Sequence, residues 1–285
     1  MSRSQIACAI DASTTTIVRV KSTGAASFCM TMCRTLNTGL EAMSGPKGKK
    51  AAMKLCSMLR EWKDEPVAVS YSPAEILTLP AWFPASATRD SRDRLCRIEA
   101  GYFLKNIEQW SWHVMSMTKT PDHPVGLERQ MLMFYPAEPS RSLEKELKQG
   151  HTVGMSGLHI EPVASLSAGT TEPFSVLELE ERYAAYYVSV NGIIGYFRYW
   201  PVKNGHERDY FAISELTSSP GNGAPVWITG TAADAPSLQR IRRETARTVE
   251  PLGMPPRVTS TKDAGTGKSM TSMVRAVSTA LMALS

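Results

Sequence analysis

The stretch Cys8-Ala-Ile-Asp-Ala-Ser-Thr-Thr-Thr-Ile-Val-Arg-Val20 decides how the chain is read. An apolar run leads into Asp11, small and hydroxyl residues follow, and a β-branched run returns. Alternation on both sides of a short polar break is a hairpin signature. A turn of this composition can offer main-chain amides and hydroxyls to a phosphate. A further run, Ser27 to Leu36, completes a three-strand meander. Ala51, Ala52, Leu55, Met58 and Leu59 have helical spacing, and residues 67–72 form a short buried strand.

The character changes after Pro73. Residues 77–86 carry two prolines and two aromatics, and residues 88–104 read as a charged helix. Strands follow over 110–117 and 129–137, then a helix closed by Gly150. Residues 159–165 read as a return strand running into a helix. From residue 173 the meander pattern restarts, with Asn191-Gly192 as a two-residue hairpin turn. Residues 203–225 leave room for a loop and one short helix. The last segment places Met270, Met273, Val274, Val277, Leu281 and Leu284 on one face. Arg275 is the cation on its polar side. The plan is therefore an internal duplication with an inserted module.

The 285 residues suit one large or two moderate domains. The net charge of +5 is scattered rather than striped; Lys47, Lys49 and Lys50 fall in a loop, and Arg240, Arg242 and Arg243 fall on a helix face. That distribution argues against nucleic acid as a partner. Five cysteines without a C-x-x-C pair read as buried thiols rather than a disulfide framework. No window holds 18 apolar residues, so a cytoplasmic protein is expected. Residues 263–271, DAGTGKSMT, imitate a phosphate loop, but Lys262 stands where that pattern needs glycine. Gly265 and Gly267 are instead expected at the entry to the last helix. The five histidines are far apart in sequence and do not suggest a metal site.

Four stretches in order resemble the actin-like ATPase superfamily. They are residues 8–20, RIEAGYFL at 97–104, VLELEERYAAYYVSVNG at 176–192 and VWITGTAADAPSLQRI at 226–241. Within the superfamily the chain is similar to the PilM-like proteins of type IV pilus assembly, which are related to FtsA of cell division and to the GspL cytoplasmic domain of type II secretion. The resemblance implies an α/β actin-like fold with two ribonuclease-H-like subdomains. The first would comprise residues 1–72 and 151–170 with a C-terminal helix at 266–285. An α+β subdomain would be inserted at 73–150, and the second half would span 171–265 with its helical subdomain reduced or absent.

The same resemblance places ATP and magnesium between the halves. Asp11, Ser13, Thr14 and Thr15 would form the first phosphate hairpin, with Asp11 holding the metal. Glu178 would replace the second aspartate, and Gly230 would belong to the adenosine motif. Glu180 falls where the second turn needs glycine, and a carboxylate there repels a triphosphate. A degenerate nucleotide site, hence no catalytic residue, is expected. The insert's aromatics Trp82, Phe83, Tyr102 and Phe103 would bind the cytoplasmic tail of a PilN-like single-span membrane protein. That partner would hold the chain at the inner membrane, beside a pilus or secretion motor, and a homodimer is compatible with it. The alternatives are an active actin-like ATPase or nucleotide switch, and a type II secretion or cell-division component of the same fold.

Overall fold

The computed structural model describes residues 3–118, 124–219, 224–265 and 269–285. The first half opens with β1 (Ser4–Ile10), β2 (Thr15–Ser22) and β3 (Phe28–Leu36), an antiparallel meander. The short α1 (Leu40–Met43) and α2 (Gly48–Leu59) follow. β4 (Val67–Tyr71) then returns parallel to β1.

The insert contains β5 (Leu77–Pro84), α3 (Arg89–Phe103), β6 (Trp110–Ser116) and β7 (Leu127–Pro136). Its antiparallel sheet has the order β5-β7-β6. α3 starts where the Thr88 hydroxyl accepts from the Ser91 N–H, and it buries Cys96 and Ala100 against Ala81, Phe83, Leu132 and Phe134. The opposite face of the sheet, with Met115, Met131, Met133 and Tyr135, joins the main core. α4 (Ala137–Leu147) lies within the expected 73–150 insert, yet it packs on α2 through Leu143 and Leu147. The insert proper therefore ends with β7.

β8 (Val153–Leu158) pairs with β4, and α5 (Ile160–Ala164) follows it. The return strand thus precedes residue 159, and the expected strand over 159–165 is helical. Gly154, Ser156 and Gly157 had concealed a strand among small residues.

The second half repeats the first. β9 (Phe174–Leu179), β10 (Tyr183–Val190) and β11 (Ile193–Pro201) form the meander. Asn191 and Gly192 turn it with φ of 50° and 79°. α6 (Gly205–Ser218) fills most of 203–225, longer than the short helix expected there beside a loop, with Asn204 capping the Glu207 N–H. It packs on β10 and on α7. β12 (Val226–Thr229), α7 (Ala235–Thr245) and β13 (Val249–Pro251) complete the unit. The strand order β3-β2-β1-β4-β8 in one sheet matches β11-β10-β9-β12-β13 in the other. Among the described residues, α6 is the one helix between β11 and β12, so no separate second-half helical subdomain is present.

β14 (Val258–Ser260) and α8 (Met270–Leu284) return to the first half. β14 extends the sheet beside β3, and α8 crosses β1, β2 and β4. Ala7, Ala9 and Ala68 on the sheet and Ala276 and Ala280 on the helix let the two approach. Val274, Val277 and Leu281 are buried as the spacing requires, whereas Met270 is exposed.

One continuous apolar cluster runs from Ile6, Leu55 and Tyr71 of the first half to Val176, Tyr187 and Phe197 of the second. The insert also reaches across: Met117 forms a parallel bridge with Ile194, and the Ile76 N–H donates to the Tyr199 hydroxyl at 3.1 Å. A core shared in this way unfolds as a unit. Thermal unfolding followed by near-UV and far-UV circular dichroism should give one coincident transition; two resolved transitions would contradict the shared core.

Candidate functional site

The two meanders turn at identical loops. In the first, Ile10 pairs with Thr15, and the Asp11 N–H donates to the Thr14 carbonyl at 2.9 Å. In the second, Leu179 pairs with Ala184, and the Glu180 N–H donates to the Tyr183 carbonyl at 2.9 Å. The counterpart of Asp11 is therefore Glu180. Glu178, aligned with Asp11 from sequence, sits two residues earlier with its side chain on the same face of the strand.

The first loop is packed from below. The Leu40 and Glu41 N–H groups, opening α1, donate to the Asp11 and Ala12 carbonyls at 2.9 Å each. Gly39 permits this, since a Cβ there would lie 2.4 Å from the Asp11 oxygen. Thr15 is buried and its hydroxyl donates to the Thr38 carbonyl at 2.6 Å. Thr14 is half-buried, and Ser13 is exposed at the tip. Gly230 ends β12 with φ 115°, and a Cβ there would stand 1.9 Å from the Leu179 oxygen. Its glycine identity is set by this crossing over the second hairpin.

The centre between the hairpins is filled by Arg275 of α8, which is 1 % exposed. Its Nη1 donates to Asp11 at 2.9 Å. Its Nη2 donates to Glu178 at 2.8 Å and to Glu180 at 2.6 Å. The planar fork of donors suits several carboxylates at once. Ser272, one turn earlier, donates to the other Asp11 oxygen at 2.6 Å. Thr231 donates to Glu180 from its N–H at 3.1 Å and from its hydroxyl. Tyr183 donates its hydroxyl to Glu178.

His159, fully buried at the entry to α5, completes the cluster. Its Nδ1 lies 2.9 Å from the Tyr71 carbonyl, and its Nε2 lies 2.6 and 2.8 Å from the two Glu178 oxygens. Both ring nitrogens face oxygen acceptors. Burial alone would raise the Glu178 carboxyl, but Arg275 and His159 outweigh it and hold it well below the usual range. The Tyr183 hydroxyl is pushed far up by burial and by the adjacent Glu178 charge.

Arg275 places a permanent positive charge where the two hairpins meet. No group of three or more His, Cys, Asp or Glu is gathered for a metal among the described residues. The cleft left outside the cluster holds about 140 Å³, and Asp11, Glu41, Glu180 and Glu181 line it. Arg182 on the second hairpin reaches Glu41 on α1 at 3.8 Å across its mouth.

Sequence reasoning missed Arg275 and His159. Arg275 is the one ionised side chain between Met270 and Leu284, in a segment otherwise built of apolar and small hydroxyl residues. A lone arginine there is a signal for a buried partner, and its placement on a solvent-facing side is corrected. The phosphate-loop look-alike lies partly outside the described residues, at 266–268; Ser269 caps α8 and Gly265 has φ 81°. Cys8 and Cys96 are buried thiols, pushed by burial up to about 12 and about 11.

The insert separates its four expected partner-binding residues. Phe83 is 2 % exposed under α3, so it is withdrawn as a surface anchor. Trp82, its neighbour in β5, faces the other side of the sheet because strand side chains alternate. Trp82, Tyr102 and Phe103 are 41 %, 78 % and 65 % exposed, the last two on α3. They do not form one surface with Trp82.

No family model matches the chain, and no curated protein does. Solved structures do. The chain superposes on a PilM–PilN type IV pilus biogenesis complex with a TM-score of 0.70 and 13 % identity, covering 99 % of this chain and 98 % of the other. The cytoplasmic domain of EpsL, an inner-membrane component of the type II secretion system of Vibrio cholerae, gives 0.53 at 11 % identity, over 98 % and 95 %. A Bacteroides thetaiotaomicron protein with an actin-like ATPase fold gives 0.53 at 7 % identity, over 87 % and 90 %. At these identities the likeness establishes the fold: the chain is an actin-like α/β protein.

Two outcomes are expected of the cluster. Arg275→Met strands three carboxylates in a buried site, which costs about 3–5 kcal/mol and lowers the melting temperature by roughly 6–15 °C at neutral pH. Differential scanning calorimetry measures this, and the loss should shrink as the pH is lowered. The wild-type protein has a Glu178 carboxyl that is lower folded, about 2, than the ordinary 4.5. Its stabilisation is present above 4.5 and is lost as the pH falls from there toward 2, by on the order of 3 kcal/mol. Denaturant midpoints taken through that window should fall, and less steeply in Glu178→Gln.

Proposed function

We propose that the chain is a PilM-like scaffold at the cytoplasmic face of a pilus or secretion platform, with a nucleotide cleft that has lost its ligand. The observation that carries this reading is the guanidinium of Arg275 standing among Asp11, Glu178 and Glu180. Magnesium bound beside a nucleotide keeps several waters and needs carboxylates that face them. Here both Asp11 oxygens are engaged, by Ser272 and by Arg275. The residues do not fit Mg-ATP in that position. The remaining 140 Å³ is below the 300–1,000 Å³ or so of small-molecule sites, and its lining carboxylates oppose phosphates.

A platform role is supported by the likeness along the whole chain, insert included, to the PilM of a PilM–PilN complex and to the EpsL domain. The insert forms depressions against the first half where a membrane partner's tail can dock. The halves are tied by buried ion pairs and a shared core, as suits a scaffold rather than a switch. No helix is long and apolar enough to cross a membrane among the described residues.

Isothermal titration calorimetry tests both parts. Millimolar Mg-ATP should give no saturable heat, and phosphate release should stay at background. A peptide copying the cytoplasmic tail of a PilN-like single-span membrane protein should bind with micromolar affinity. Saturable Mg-ATP binding would overturn the lost-cleft reading, and a silent tail would overturn the scaffold reading.

A further inference from the structure

α3 packs on the insert's sheet with one side, where Cys96 and Ala100 are buried. Helix side chains repeat at roughly 3.6 residues, so the opposite side carries Arg94, Ile98, Gly101 and Tyr102. All four are exposed, Ile98 at 55 %. Arg94, Ile98 and Tyr102 are successive i, i+4 positions and make one row along the helix. Phe103 ends the helix, and Leu104 turns the chain back into the insert's apolar core.

Single exposed apolar residues are ordinary on a protein surface, and a cluster of them is not. Among the described residues ten large apolar side chains are exposed, and three of these, Ile98, Tyr102 and Phe103, fall within six positions. None of the three belongs to the insert's core. Others stand apart from them, such as Met53 on α2, Ile193 on β11 and Tyr210 on α6.

Cations frame the row. Arg94 precedes Ile98 by one turn, and Lys105 follows Tyr102 by three residues. Neither pairs with a carboxylate among the described residues. Arg97 lies along the flank, 5.2 Å over the Trp112 ring and 3.5 Å from Asp93. Asp90 is the acid on this side. From Arg89 to Lys105 the segment holds five cations and three acids, and Asp93 is already engaged by Arg97 and by the Trp112 indole. The surplus positive charge therefore falls around the apolar row.

Aromatic and aliphatic side chains ringed by unpaired cations suit a surface that is apolar within and anionic at its boundary. We infer that the outer side of α3 rests on an anionic lipid bilayer, with Ile98, Tyr102 and Phe103 entering the headgroup region and Arg94 and Lys105 on lipid phosphates. The Tyr102 hydroxyl stays at headgroup level. So few apolar side chains give a weak, reversible contact, which adds to a tether rather than replacing one. The inference rests on the platform reading for where such a bilayer is met, and the contact itself needs no protein partner.

Sedimentation with vesicles tests it on the intact chain alone. Vesicles of equal parts phosphatidylglycerol and phosphatidylethanolamine should carry the protein down, and phosphatidylcholine vesicles should not. Raising the salt from about 0.05 M to about 0.5 M should release it by screening. A cation near an anionic surface changes partition by about 5-fold, so Arg94→Gln with Lys105→Gln should lose roughly 10-fold or more. Tyr102→Ser should weaken partition, Tyr102→Phe should keep it, and Asp90→Asn should strengthen it. All these side chains are exposed, so the melting temperature should not move. If the protein ignores anionic vesicles, or binds phosphatidylcholine equally well, the inference is overturned, while the scaffold reading stands or falls on its own tail titration. If the wild type is a dimer by sedimentation velocity and Tyr102→Ser makes it monomeric, a second copy covers this side and the inference is likewise overturned.

Discussion

The structure turns on one buried arginine. Three carboxylates from two hairpins point at the same place, and none could remain ionised there without a counter-charge. Arg275 supplies it from a helix packed on a face of the first sheet, and His159 adds a hydrogen-bonding contact to Glu178 from the link between the halves. The cost is visible in what the cluster leaves unpaired. The Arg275 Nε and the Tyr187 and Thr229 hydroxyls are buried without a hydrogen-bond partner. A site arranged around an internal cation favours carboxylates at the turns that face it. The second hairpin accordingly carries Glu180, Glu181 and Arg182 at its turn.

The duplication shows which constraints survive such a change. Both sheets keep the same strand order and both hairpins the same closing hydrogen bond, since these depend on backbone pairing and apolar alternation. The side chains at the turns differ: Ala12, Ser13 and Thr14 stand opposite Glu181, Arg182 and Tyr183. Gly39 and Gly230 persist for another reason: each lets a second piece of main chain cross a hairpin. Their presence marks the packing of the halves, and it would be a mistake to read either as evidence of a bound ligand.

Much of this was legible in the sequence because it rests on local periodicity. The two meanders, the Asn191-Gly192 turn and the position of the insert follow from alternation and turn chemistry, and the motif order pointed to the actin-like fold. The strand at 153–158 was hidden because Gly154, Ser156 and Gly157 interrupt its apolar pattern. α6 was underread because its buried face includes Arg208, Asp209 and Glu215, polar residues that pair with Ser237, Arg240 and Tyr196. The Glu178–Glu180 assignment failed because a two-residue slip leaves the apolar alternation intact. Arg275 and His159 were invisible in their roles, since nothing local links them to residues on distant strands.

The distance along the chain has a kinetic consequence. Asp11 and Arg275 are separated by 264 residues, so their contact closes nearly the longest loop the polypeptide can make. Each half can collapse on its own short-range pairings while these charges are still hydrated, and the salt links form only when the last helix seats. Interactions made that late contribute little to the rate of reaching the native state and mainly slow departure from it. The cluster therefore acts as a latch, and its strength would be felt as slow parting of the two halves once the last helix has seated.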